Sequence, residues 1–224
     1  MSERRGRKSS YTIDVILCTA LSDQLAVLLW RTPDEKEKWA LPWDHGSPDE
    51  SLENTAAQIT TDALGSVPAW LEQVGAFNAE KRHPSEAEIS VAYAGLVPAG
   101  TLPPVGGSYA WFAIGELPAL APRQRSMLDN AISMLRTRMD QSPVAFRLLP
   151  PTFTLSELQH MYELLLGKRL HKASFRRALS AAFLVEPTEE WRSEGRGRPA
   201  QLFRYSPRKR RPAQRGIRLD MLPQ

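Results

Sequence analysis

The residues best suited to chemistry lie in two parts of the chain. Near the C-terminus, Lys172, Arg176 and Arg177 share one side of a helical stretch whose other side holds Phe175, Leu179 and Ala182. Packing the apolar side turns the basic side outward. An arginine fork matches the acceptor edge of guanine, and either cation neutralises phosphate, so this helix suits a DNA groove. Arg196 and Arg198, in a Gly-containing tip further on, suit phosphate or minor-groove contact. A solvated charged face is the other reading of the same run. Nearer the N-terminus, Arg31, Trp43, Asp62 and Arg82 are candidates for holding a small effector. A guanidinium forks onto phosphate, and an indole stacks on a base or nicotinamide ring. A surface ion pair at Arg82 and a core or rim aromatic at Trp43 stay open as alternatives. His45, His83, His160 and His171 lack metal-ligand spacing, so no metal and no cofactor are expected.

The elements that must position these residues follow from periodicity. Tyr11–Cys18 and Gln24–Arg31 read as a hairpin about Ser22-Asp23, and Trp39–Pro42 as a short extended piece. Leu52, Ala56, Ile59 and Ala63 form a helical stripe that Gly65 ends. Leu71–Phe77, Ala87–Val97 and Ser108–Ile114 read as strands, with Ile89, Val91 and Tyr93 on one face of the second; Ala99–Gly107 is a loop. Arg125–Met139 is a helix, and Gln141-Ser142-Pro143 marks a domain boundary. Beyond it come a helix of Leu155, Leu158, Met161, Tyr162 and Leu165, stopped by Gly167, and a second over Lys172–Phe183. Two strand-like segments, Phe183–Pro187 and Gln201–Tyr205, flank the basic tip Arg192–Arg198. Helix, turn, basic helix and hairpin make a winged helix-turn-helix pattern.

Charge divides the same way. Residues 1–144 hold 13 Lys and Arg against 18 Asp and Glu, a balance of −5, whereas residues 145–224 hold 16 against 7, a balance of +9. The back of the chain is the part suited to a polyanion. The basic stretch Pro207–Arg218 reads as disordered unless bound. No run is long and apolar enough for a membrane span or a signal peptide, and Cys18 is alone, which excludes a disulfide framework. These features lead us to expect a cytoplasmic protein.

The segment Trp39–Ser66 resembles the box of Nudix hydrolases, in which a Leu-Pro-Gly-Gly turn leads to a helix carrying Arg-Glu and Glu-Glu pairs. Those carboxylates hold Mg²⁺ against a diphosphate, and the metal neutralises phosphate charge and activates water. Aligned on Leu41-Pro42, Glu50 and Gly65, the frame is kept while the two glycines are Trp43-Asp44, the Arg-Glu is Gln58-Ile59 and the Glu-Glu is Asp62-Ala63. Only Asp62 survives of three metal carboxylates, so no catalytic residue is expected.

Across residues 10–206 the chain resembles the Nudix-related transcriptional regulators (NrtR). The resemblance is most specific in Phe146-Arg147-Leu148-Leu149-Pro150, Phe153-Thr154-Leu155, Leu158-Gln159, Tyr162-Glu163, Leu166-Gly167, Phe175-Arg176-Arg177 and Gly197-Arg198-Pro199-Ala200. Two departures stand out. The family commonly has Asp-Pro where this chain has His83-Pro84, and an Asp-His aligns with Arg123-Gln124. The resemblance implies a repressor of NAD synthesis or salvage genes, with ADP-ribose as candidate effector. The expected fold is α+β: a Nudix-like α/β/α sandwich for sensing and dimerisation over 1–142, a winged helix-turn-helix over 143–206 and a basic tail over 207–224. The expected partners are a palindromic duplex operator, a second copy of the chain and a small effector, with no membrane. The rivals are a Nudix pyrophosphohydrolase acting on ADP-ribose, a sugar-responsive regulator of the same group, and a non-specific nucleic-acid binder.

Overall fold

A computed structural model describes residues 11–32, 38–78, 83–85, 87–101, 108–139, 142–193 and 199–207. Arg82, Arg196, Arg198 and all but the first residue of the basic tail lie outside these. The chain divides into two compact units. The first takes in the chain up to Cys18, Ala26–Val97 and Thr101–Ala131; the second takes Thr19–Leu25, Pro98–Gly100 and the chain from Ile132. No helix among the described residues is long and apolar enough to cross a membrane.

The first unit is built on a mixed sheet, seven-stranded among the described residues. Its strands are β1 (Tyr11–Leu21), β2 (Gln24–Arg31), β3 (Trp39–Ala40), β4 (Trp43–His45), β5 (Leu71–Asn78), β6 (Ile89–Leu96) and β7 (Tyr109–Ala113). The main order is β3-β2-β1-β6-β5, with β4 pairing β1 and β7 pairing β2. The β1–β6 pair is parallel, Val15 opposite Tyr93, while β2–β7 and β5–β6 are antiparallel. Helix α1 (Leu52–Leu64) follows β4, and α2 (Pro122–Arg138) follows β7. The hairpin, α1 and the three later strands stand where periodicity put them. Strand β4 was not foreseen, since three residues carry no periodic signal. Ile89 shares the face of Val91 and Tyr93, as alternation requires, but is 44% exposed at the start of β6.

Helix α1 forms for local reasons. Ser51 caps it by accepting the Asn54 N–H (3.2 Å), and Gly65 closes it in the left-handed region, φ +75°, where its N–H donates to Thr61 O (2.7 Å). Its inner face places Ala56, Ile59 and Ala63 against Ile13, Val15, Leu17, Leu28, Val91 and Tyr93. Strand alternation sends Thr12 and Asp14 to the opposite face of β1 from Ile13 and Val15.

There a polar cluster is buried around Asp14, which is fully inaccessible. Gln124 Nε2 donates to Asp14 Oδ1 (2.9 Å), and His83 Nε2 lies 2.7 Å from the same oxygen. The Ser85 N–H donates to His83 Nδ1 (3.0 Å), which leaves the ring proton on Nε2 for the carboxylate. Thr12 Oγ1 donates to Asp14 Oδ2 (3.0 Å) and lies 2.8 Å from Ser90 Oγ. Gln124 also holds the Leu41 backbone, its Oε1 accepting the N–H (3.1 Å) and its Nε2 donating to the carbonyl (3.3 Å). Arg123 Nη1 donates to Ala87 O (2.7 Å) and Ser90 Oγ (3.2 Å). The two departures from the family pattern, at 83 and at 123–124, thus meet in one cluster.

The second unit holds α3 (Leu155–Leu166), α4 (Lys172–Ala182) and a three-stranded sheet, β8 (Thr152–Phe153), β9 (Val185–Arg192) and β10 (Ala200–Tyr205), in the order β8-β10-β9. Thr154 and Glu157 form a reciprocal capping box at the start of α3, and Gly167 ends it at φ +68°. The Glu163 carboxylate builds the turn that follows, accepting from Leu170 N (2.9 Å), Gln159 Nε2 (2.9 Å) and Arg169 Nη1 (3.0 Å). Burial works to raise the Glu163 pKa, but these donors outweigh it and hold the carboxyl below its usual value. The core is aromatic, with Phe146 against Phe153 and Tyr205 and Tyr162 against Phe175. The spatial division falls within α2, ahead of the 142/143 limit read from sequence. The second half of α2 packs with the winged helix, and Arg136 Nε donates to Leu165 O (3.1 Å).

Because Asp14 is sealed, removing it leaves the side chains of Thr12, His83 and Gln124 without their shared acceptor. With buried donors left unmade at about 1–3 kcal/mol each, Asp14→Ala is expected to cost several kcal/mol of folding stability, read from the midpoint and slope of a urea titration. An unchanged midpoint would mean that the carboxylate is not the anchor of the sheet face.

Candidate DNA-reading face and effector site

Helix α4 presents two chemically distinct sides. Phe175 and Leu179 are buried at 0% and 2% exposure, whereas Lys172, Ala173, Arg176, Arg177, Ser180 and Ala181 are exposed. Ala182, expected on the packed side, is half-buried only, because the helix ends there: Phe183 takes a left-handed φ of +51° and turns the chain out. The small residues at 173, 180 and 181 leave the two arginines standing proud of a low surface. The first turn of α4 holds Lys172 and no acidic residue, whereas α1 and α3 carry Glu53 and Glu157 at theirs. Its amide N–H groups are therefore left without a local carboxylate, which favours an approaching phosphate.

The wing keeps its own charges in order. Arg192 Nη1 pairs with Glu157 Oε1 (2.6 Å), which ties β9 to the first turn of α3, and Arg204 pairs with Glu186 across β9 and β10. Arg192, at the near end of the basic tip, is thus a tether. Trp191 beside it is 55% exposed. Arg196 and Arg198, the wing cations of the sequence reading, lie outside the described residues.

The residues read as effector-binding part company. Trp43 stands in a cluster of rings, perpendicular to Trp30 (centroids 6.3 Å apart), His45 (5.4 Å) and His83 (5.2 Å). Trp30 stacks on Tyr109, its partner across β2 and β7, at 6.2 Å. Burial, and then the nearby Asp62 carboxylate, push the Tyr109 phenol above its ordinary pKa. Asp62 acts on that phenol from the exposed side of α1, where its Oδ1 accepts from Gln58 Nε2 (2.7 Å). Arg31 does not join it. Its guanidinium lies over the Trp39 ring at 5.0 Å, and as the neighbour of Trp30 on a strand it projects from the opposite face. Arg82 lies outside the described residues.

Trp30, Tyr109, His83, Gln124 and Asp14 were missed as site residues. Each is unremarkable alone, and only pairings across 69 to 110 positions unite those around Asp14. The one sequence signal was the pair of family departures, read separately.

At the aligned metal positions, Ile59 and Ala63 are packed in the core at 7% and 0% exposure. Among the described residues no three His, Cys, Asp or Glu side chains are grouped to hold a metal ion. Cys18 offers no nucleophile, since burial pushes its thiol up to about 12.

Comparison with known proteins agrees with this arrangement. Residues 145–205 match the family described as the NrtR DNA-binding winged helix domain. The ADPR responsive transcriptional repressor NtrR of Acinetobacter baylyi is 29% identical, over 89% of this chain and 85% of that protein. The crystal structure of Shewanella oneidensis NrtR complexed with a 27mer DNA superposes with a TM-score of 0.76 at 29% identity, covering 89% of this chain and 94% of that one. A MutT/nudix family protein from Enterococcus faecalis shares the fold, with a TM-score of 0.68 at 20% identity over 92% of this chain and 90% of that one. Residues 145–205 thus carry the NrtR winged helix, and over most of its length the chain is similar to Nudix-related transcriptional regulators, with a Nudix-like α+β unit preceding that domain.

Proposed function

We propose that this chain is a transcriptional repressor that binds an operator through α4 and changes its hold on DNA when ADP-ribose occupies the Nudix-like unit. The outward basic face of α4, held by buried Phe175 and Leu179, carries the DNA half of this reading. The S. oneidensis relative bound to a 27mer DNA supports it. The A. baylyi relative, named as responsive to ADPR, supports the effector. Functionally, residues 1–142 sense ligand and dimerise, residues 143–206 bind DNA and residues 207–224 add a basic tail. A homodimer on a palindrome is the arrangement that two-fold symmetry favours. A cytoplasmic location goes with this role, and the family resemblance points to genes of NAD synthesis or salvage as targets.

We infer further that the Nudix-like unit has lost hydrolysis. Two carboxylate positions have become core, and Asp62 alone cannot hold several Mg²⁺ ions against a diphosphate. With Mg²⁺ or Mn²⁺, ADP-ribose is expected to remain intact at the rate of an enzyme-free blank. Steady product formation that Asp62→Ala abolishes would overturn this.

ADP-ribose is expected to raise the thermal midpoint, because a ligand of the native state stabilises it by mass action. By reciprocity it must also shift operator affinity if the sites are coupled. A midpoint and an operator affinity both indifferent to ADP-ribose would remove it as the effector.

The operator itself comes from mapping bound promoters. On it, Arg177→Ala is expected to cost about 1–3 kcal/mol and to relax preference at one position in each half-site. Arg176 exchanges roles with Arg177 if the helix enters one residue out of phase. Titrations against operator and scrambled duplex at several salt concentrations read the difference. If neither substitution lowers the operator-to-scrambled ratio, α4 is not the reader.

A further inference from the structure

Two indole N–H groups in the aromatic cluster are buried with no acceptor among the described residues: Trp30 Nε1 and Trp43 Nε1. Buried donors are nearly always satisfied, and one left unmade costs about 1–3 kcal/mol. Two such donors on rings 6.3 Å apart call for acceptors of their own.

The chemistry of the surroundings narrows the acceptor. Tyr109 stacks on Trp30, and Asp62 is close enough to hold the phenol of Tyr109 up. A carboxylate at this spot opposes a phosphate unless a cation stands between them. Among the described residues no grouping suited to a metal is present, and Arg31 projects from the other face of β2. A neutral hydroxylated ring meets every requirement. Its oxygens accept from the indoles, its hydroxyl protons go to Asp62, whose Oδ2 remains beside the Gln58-bound Oδ1, and its C–H face lies on an aromatic ring. Trp43 forms the outer wall, since it belongs to the three-residue β4 and is only partly buried.

We propose that Trp30 and Trp43 form a pentose-binding edge, donating their indole N–H groups to sugar hydroxyl oxygens while Asp62 accepts a hydroxyl proton. The inference rests on the reading of the Nudix-like unit as the effector domain and assigns the part of the effector held here: a ribose, not the diphosphate.

The six tryptophans give six indole N–H signals in a ¹⁵N–¹H spectrum of the full chain. Trp30→Phe and Trp43→Phe each delete one, which assigns them; triple-resonance assignment replaces either variant if it does not fold. ADP-ribose and excess D-ribose are both expected to move the Trp30 and Trp43 signals, and inorganic pyrophosphate to leave them in place. Each variant should weaken ADP-ribose binding by about three- to tenfold, the worth of one neutral hydrogen bond, while ligand-free operator binding persists. If ADP-ribose raises the thermal midpoint but neither signal moves, the effector reading stands and the pentose edge is overturned, with internal water the acceptor. If pyrophosphate moves them as D-ribose does, the site takes phosphate and the proposal fails. If no probe changes the midpoint or the spectrum, the ADP-ribose reading fails and the pentose edge with it.

Discussion

A buried carboxylate needs as many partners as water would give it, and in this fold that demand falls on Asp14. Moving a charged oxygen out of water costs several kcal/mol unless donors replace the solvent. Asp14 finds them in an imidazole, a carboxamide and a hydroxyl drawn from three places in the chain. Each donor is anchored in turn. Ser85 fixes the His83 ring, Leu41 holds both ends of the Gln124 amide, and Ser90 joins Thr12 to Arg123. The result fixes α2 against the β1–β6 pair and fixes the Leu41-Pro42 turn that leads into β4. Trp43, two positions beyond Leu41 and edge-on to His83, takes its place from the same cluster.

The helices were legible because each is specified within a few residues of itself. A cap, an apolar stripe and a terminal glycine stand together for α1 and α3, and Phe175 with Leu179 set the phase of α4 before any tertiary contact is known. The polar cluster was not legible in that way. Asp14 alternates with valine and isoleucine in an ordinary strand, and nothing near it announces a partner 110 positions on. Strands β4 and β8 escaped for a related reason: two or three residues become a strand only because another strand is already there to pair with. Trp43 was legible as an aromatic worth watching, but its neighbour Trp30 read as one more apolar residue of a core strand.

The departures from the family pattern gain meaning once they are brought together. Where the family commonly carries Asp at position 83 and His at position 124, this chain carries His83 and Gln124, and both reach Asp14. Here the imidazole stands at 83 and the carboxamide at 124, and one carboxylate on β1 accepts from both.

The helix of the box follows a different logic, that of core formation. An isoleucine that moves from water to the interior contributes about 1.5–3 kcal/mol, and Ile59 is 7% exposed while Ala63 beside it is sealed. A glutamate at either place would have to bury its charge or push α1 off the β1 face. At positions 59 and 63 this helical face is given to packing. What remains on the outer side is a single carboxylate, Asp62, next to a stack of aromatic rings.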